Sequence, residues 1–105
     1  MSVTTPPPPD ENQIKAWQEQ WDEQKSEYNA EIDFMNQTIT AKTNEYNDIF
    51  NNTEEWNQIS LQERSDLRQQ IILARQELVQ IQNELALAKS YFISNNPQAE
   101  HYVQF

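Results

Sequence analysis

Apolar side chains recur at helical spacing through the first half of the chain. Their intervals are three, four and seven residues, which is the period of one face of an α-helix. No Gly or Pro interrupts them, so the pattern predicts one helix over about residues 11–50, near 60 Å long at 1.5 Å per residue. The repeating positions are Ile14, Trp17, Trp21, Tyr28, Ile32, Met35, Ile39, Tyr46, Ile49 and Phe50.

A second and more regular repeat follows. Its intervals alternate between four and three residues, the spacing typical of a coiled-coil seam. We therefore predict a second helix over residues 61–93. The seam positions are Leu67, Ile71, Ala74, Leu78, Ile81, Leu85, Ala88 and Phe92.

The limits of the second helix have their own signals. Ser60 with Glu63 three residues later is a capping box, which predicts a helix start at Leu61. Asn95-Asn96-Pro97 disfavours helix before the proline, so the helix should end near Ile93. Residues 95–105 then form a C-terminal tail, in which Pro97 is suited to open a short helical turn.

Residues 51–60 separate the two repeats. Asn tolerates left-handed geometry at a helix end, and Thr and Ser favour helix starts, so we expect a turn here. The predicted fold class is all-α, an antiparallel helical hairpin with coiled-coil packing over residues 11–94. Facing residues then have numbers that sum to about 113, which sets Trp21 beside Phe92 and Lys42 beside Ile71.

Residues 1–10 differ from the rest of the chain. Pro6 to Pro9 remove four amide donors and favour an extended polyproline II arm, either a spacer or a ligand for an aromatic-lined groove.

We see neither a basic segment followed by an apolar run, as in a signal peptide, nor a run of about 20 apolar residues. The expectation is synthesis in the cytoplasm without membrane insertion.

Composition removes several classes of function. The chain has no Gly and no Cys, which excludes Gly-rich phosphate loops, disulfide frameworks and thiolate zinc sites. Seventeen acidic against seven basic residues give a net charge of −10, which makes nucleic acid and anionic membranes poor partners. His101 is the one histidine and has no Glu three residues before it, so we predict no metal and no cofactor.

Catalysis has little support in the sequence. The densest charge run is acidic, from Glu19 to Asp33, and its carboxylates could act as acid and base only in a concave pocket. A pair of helices offers no such pocket, so a solvated or partner-facing acidic surface is expected. We predict that the protein is not an enzyme and has no catalytic residue.

The apolar surface is wider than one hairpin can bury. Ile72, Val79, Ala86 and Ile93 form a line beside the seam of the second helix, and Leu73 and Leu87 widen it further. Phe34 and Ala41 lie off the stripe of the first helix in the same way. Such width argues for three or more helices in contact, through self-association or docking to a larger assembly.

The tryptophans have alternative roles. Trp17 and Trp21 could stack on a sugar or base, but both lie on the seam, which favours packing in a core or interface. Trp56 either closes the open end of the hairpin or anchors a partner. The predicted interaction residues are Trp17, Trp21, Trp56, Ile72, Val79, Leu87 and Phe92.

The resulting hypothesis is a non-enzymatic structural or assembly protein that oligomerises or binds a larger protein complex. The Pro-rich arm, long helices and many Asn and Gln fit, by analogy of composition, a component of a phage or viral particle. The alternative is an assembly or secretion chaperone that holds a partner's helix in its apolar seam. Expected partners are proteins or further copies of the chain, without nucleic acid.

Overall fold

The computed structural model describes residues 7–105, and every regular element within that range is helical. The chain is elongated, with principal extents of 81 × 25 × 14 Å and a radius of gyration of 22.5 Å. A compact domain of this length would have a radius near 13 Å. The all-helical prediction is confirmed. The elements are α1 (Glu11–Asn51), α2 (Thr53–Gln58), α3 (Leu61–Asn95) and a final 3-10 turn (Pro97–His101).

Helix α1 begins where the proline segment ends. Asp10 is its N-cap, and the Asp10 side chain accepts a hydrogen bond from the Gln13 amide at 2.7 Å. This bond satisfies one of the amides that a helix start leaves without a partner. Pro7 to Pro9 have no regular secondary structure. The remainder of the predicted extended arm, residues 1–6, lies outside the described residues.

The connection between the long helices differs from the expected turn, because it contains the short helix α2. Asn52 does not adopt left-handed geometry: its φ is −94°, and its side chain accepts from the Glu55 amide at 3.1 Å as the N-cap of α2. An Asn side chain satisfies amides equally well at a helix start. The polar residues that suggested a turn therefore start a helix instead.

Helix α3 begins as the sequence predicts. Ser60 is its N-cap and accepts from the Glu63 amide at 3.1 Å. The helix continues through Asn95, two residues past the expected end at Ile93, and Pro97 then opens the 3-10 turn. Proline fits there because its fixed φ suits a first helical position, where no amide donor is needed.

Helices α1 and α3 contact each other through polar and apolar side chains. Trp17 Nε1 donates to Asn96 Oδ1 at 3.1 Å, whereas Lys42 Nζ, farther along α1, donates to Gln70 at 3.3 Å. Their central contact is an apolar cluster in which Met35, Ala74 and Ile81 are buried. Half-buried residues complete that cluster: Tyr28, Ile32, Ile39 and Leu78.

A second apolar cluster lies where the C-terminal tail returns to the helix pair. Trp21, the most buried large side chain at 2% exposure, contacts Phe92 with ring centroids 5.8 Å apart. Phe105 lies 5.2 Å from Trp21 and 6.0 Å from Phe92. The cluster's buried members are Trp17, Trp21, Phe92, Ala99 and Val103.

Polar bonds hold the tail on α1. The Gln18 side chain donates to the Gln104 carbonyl at 3.1 Å and accepts from the Gln104 amide at 2.9 Å. Lys25 Nζ donates to the Phe105 backbone oxygen at 2.7 Å, and Lys89 Nζ lies 5.2 Å from the Phe105 ring centroid. Lys25 is half-buried by these contacts.

The tail cluster should dominate stability. Trp21→Ala would remove the largest buried side chain, and truncations of this kind cost about 3–5 kcal/mol in the free energy of unfolding. Urea denaturation followed by helical circular dichroism measures that loss. Tyr102→Ala is the matched control, since Tyr102 belongs to the same tail but is 44% exposed. An equal loss in both variants would contradict the packing described for the tail.

Candidate protein interface

Large apolar side chains remain on the surface of the helix pair. Phe34 is 67% exposed on α1, and Leu73, Leu87 and Tyr91 are 54%, 55% and 65% exposed on α3. Ile72 and Val79 on α3 are exposed as well. This much exposed apolar surface on a small chain is characteristic of protein interaction sites.

Four of these side chains line one groove between α1 and α3, which we call the acidic groove. It consists of two adjoining hollows that share Glu84. Buried Met35, Ile81 and Phe92 contribute to its lining from the seam. The exposed apolar side chains along it are Phe34, Leu73, Leu87 and Tyr91, and its charged residues are Glu23, Glu31, Glu77 and Glu84.

The charge of the groove is of one sign. None of the residues that line its two hollows within residues 7–105 is Lys or Arg. Lys42 lies beyond Phe34 and Leu73, in a further shallow hollow at one end. The groove therefore combines apolar side chains with acidic ones, and Lys42 is placed only at its end, in a hollow that shares Glu77 with it.

Ile72 and Val79 lie on a different flank of α3, the outer flank, with Arg75 and Gln76 between them. One residue along a helix turns by 100°, so Ile72 and Leu73 project to different flanks. The hollow on the outer flank is lined by one basic residue, Arg75, and by no acidic residue, whereas four Glu line the groove. The apolar surface predicted beside the seam thus divides into two faces, which adjoin at Gln76.

Three of the predicted interaction residues are inside the chain. Trp17, Trp21 and Phe92 are 8%, 2% and 5% exposed, because the tail covers them. Trp17 and Trp21 thus pack inside the chain, and their rings are not exposed for stacking on a sugar or base. Phe92 still reaches the lining of the acidic groove.

Trp56 is half-buried at the opposite end of the helix pair. Its ring packs edge-on against Phe50 and Tyr46, with centroids 5.1 and 5.8 Å away, and Arg64 lies 4.2 Å above it. These contacts close the end of the seam beside α2. Trp56 was predicted either to close the end of the hairpin or to anchor a partner. Its contacts are those of a residue that closes the end, and part of its surface remains exposed.

Some groove residues were missed as candidate sites. Phe34 and Leu73 were recognised only as widening the apolar surface, and Tyr91 was not singled out. Tyr91 follows Leu87 by four residues, and Glu77, Glu84 and Tyr91 recur every seven. That spacing places all of them on one side of α3, which is the available sequence signal.

No protein-family model, curated protein or solved structure matches this chain. Within residues 7–105, no helix has the length and apolar character needed to cross a membrane. The same residues contain no group of three or more His, Cys, Asp or Glu arranged to hold a metal ion.

The exposed apolar residues should contribute little to the fold. Leu87→Gln is expected to change the free energy of unfolding by no more than about 0.5–1 kcal/mol, because Leu87 is 55% exposed. Ile81→Gln is the matched comparison and should cost several times more, since Ile81 is 8% exposed and a buried amide would lack partners. Chemical denaturation of both variants measures the difference. A large loss for Leu87→Gln would show that the groove is part of the core.

Proposed function

We propose that this chain is a non-enzymatic structural or assembly protein, an acidic antiparallel helical hairpin with coiled-coil packing that associates with a larger protein complex or with further copies of itself. The observation that carries the proposal is the exposure of Phe34, Leu73, Leu87 and Tyr91 along one groove. Surface side chains of this size contribute little to folding, and a protein partner would bury them.

The hairpin and its packing are supported by the reversed order of contacts between α1 and α3 and by the heptad spacing of the α3 seam. A phage or viral particle is the type of assembly that the composition favours, with its Pro-rich arm, long helices and many amide side chains. That part of the proposal rests on analogy of composition alone.

The second candidate is an assembly or secretion chaperone. The acidic groove favours it, because an open channel between two helices can receive a helix from a partner. The two functions differ in persistence. A structural component remains in the mature complex, whereas a chaperone leaves it.

The hairpin is tested by distances between spin labels. The chain has no cysteine, so Asn29→Cys and Asn83→Cys at exposed positions would carry the labels without competition. Neighbouring antiparallel helices are about 10 Å apart, so we expect label distances below about 30 Å. A continuous rod would separate these positions by about 80 Å. Double electron–electron resonance distinguishes the two, and the longer distance would refute the hairpin.

The assembly function is tested by measuring the molecular mass of the purified chain, alone and with its natural neighbours. Analytical ultracentrifugation of the purified chain across a concentration series should show self-association, or a stable complex when its natural neighbours are added. The physical reason is the apolar surface that the monomer leaves in water. A cooperatively folded monomer at micromolar concentration that binds none of its neighbours would contradict the proposal. Presence in the mature complex would favour the structural role, and loss from it the chaperone.

A further inference from the structure

We propose that the acidic groove binds an amphipathic helix of a partner protein that carries Lys or Arg beside its apolar face. This inference rests on the proposed function and specifies its partner. The groove offers apolar contacts at Phe34, Leu73, Leu87 and Tyr91, which is how helices are bound in grooves elsewhere.

The dimensions fit one helix of moderate length. Leu73 to Tyr91 covers 19 residues of α3, whose first and last are about 27 Å apart along the helix at 1.5 Å per residue. A partner helix of about 18 residues lying along α3 would contact all of it. Its apolar residues at every third or fourth position would face Leu73, Leu87 and Tyr91.

Charge selects the type of helix. Glu23 and Glu31 line the groove from α1, and Glu77 and Glu84 line it from α3, so both sides are acidic. A helix with basic flanks would pair with both sides. An acidic helix would meet like charge throughout, and such juxtaposition excludes wrong partners.

The same charges disfavour a second copy in this groove. Two copies packed groove to groove would bring the acidic residues of each together, in a chain that already carries a net charge of −10. Of the nearby lysines, Lys25 and Lys89 contact Phe105 and do not line the groove, and Lys42 lines only the further hollow at one end. Self-association, where it occurs, should use the outer flank with Ile72 and Val79.

Three labelled peptides test the inference on the full chain by fluorescence anisotropy. Each has about 18 residues: a basic amphipathic helix with Leu on one face and Lys on both flanks, the same peptide with Glu for Lys, and a scrambled basic peptide without an apolar face. We expect the basic amphipathic peptide to bind at least about tenfold more tightly than either other peptide, with an affinity that falls as salt is added. Binding of none of the three, or equal binding of the acidic peptide, would overturn the proposal.

Paired variants locate the site. Leu73→Gln with Leu87→Gln should weaken binding at least about tenfold, and Glu77→Gln with Glu84→Gln should weaken it and reduce its salt dependence. Ile72→Gln with Val79→Gln is the matched control on the outer flank and should leave binding unchanged. Equal loss in the control pair would refute the groove as the site. Self-association that the Leu73 and Leu87 changes abolish would identify a second copy as the occupant, overturning this inference while leaving the assembly function intact.

Discussion

Two helices lying side by side touch along a single line, and each can bury only one stripe of side chains there. In this chain the line runs from Trp17 to the α2 end, and its middle consists of Met35, Ala74 and Ile81. The molecule is only 14 Å thick in its smallest extent, so within residues 7–105 no further layer covers the middle of the stripe. Because each helix buries only one stripe, the ends of the stripe need other residues to cover them, and apolar side chains beside it stay exposed.

An aromatic residue from outside α1 and α3 closes each end of the seam: Phe105 from the tail at one end and Trp56 from α2 at the other. At one end the tail places Phe105 against Trp21 and Phe92, and at the other Trp56 packs on Phe50 beneath Arg64. An aromatic ring contributes much buried area from one residue, which suits a seam too narrow to shield its own ends. The tail is therefore part of the core.

Local signals predicted the helical class and the start of α3, because they depend on residues close in sequence. Ser60 caps α3 through an amide three residues away, and the seam follows from helical spacing. The docking of Phe105 on Trp21 joins residues about 80 positions apart and has no periodicity to reveal it. Helix α2 has six residues, too few for a hydrophobic repeat to be distinguished from a turn.

The groove was harder to predict than the seam. It depends on the flank of α3 that each residue beside the seam occupies, and on which contacts the few Lys and Arg side chains make. Leu73 and Ile72 are neighbours in sequence and belong to different faces. Of the seven basic residues, Lys25 and Lys89 contact Phe105, and Arg64 contacts Trp56. These three cations lie at the two ends of the seam and Lys42 lies in the hollow at one end of the groove, so the groove itself has no Lys or Arg among its lining residues within residues 7–105. An apolar channel alone would accept any amphipathic helix, and in the proposed interaction it is this distribution of cations that selects basic ones.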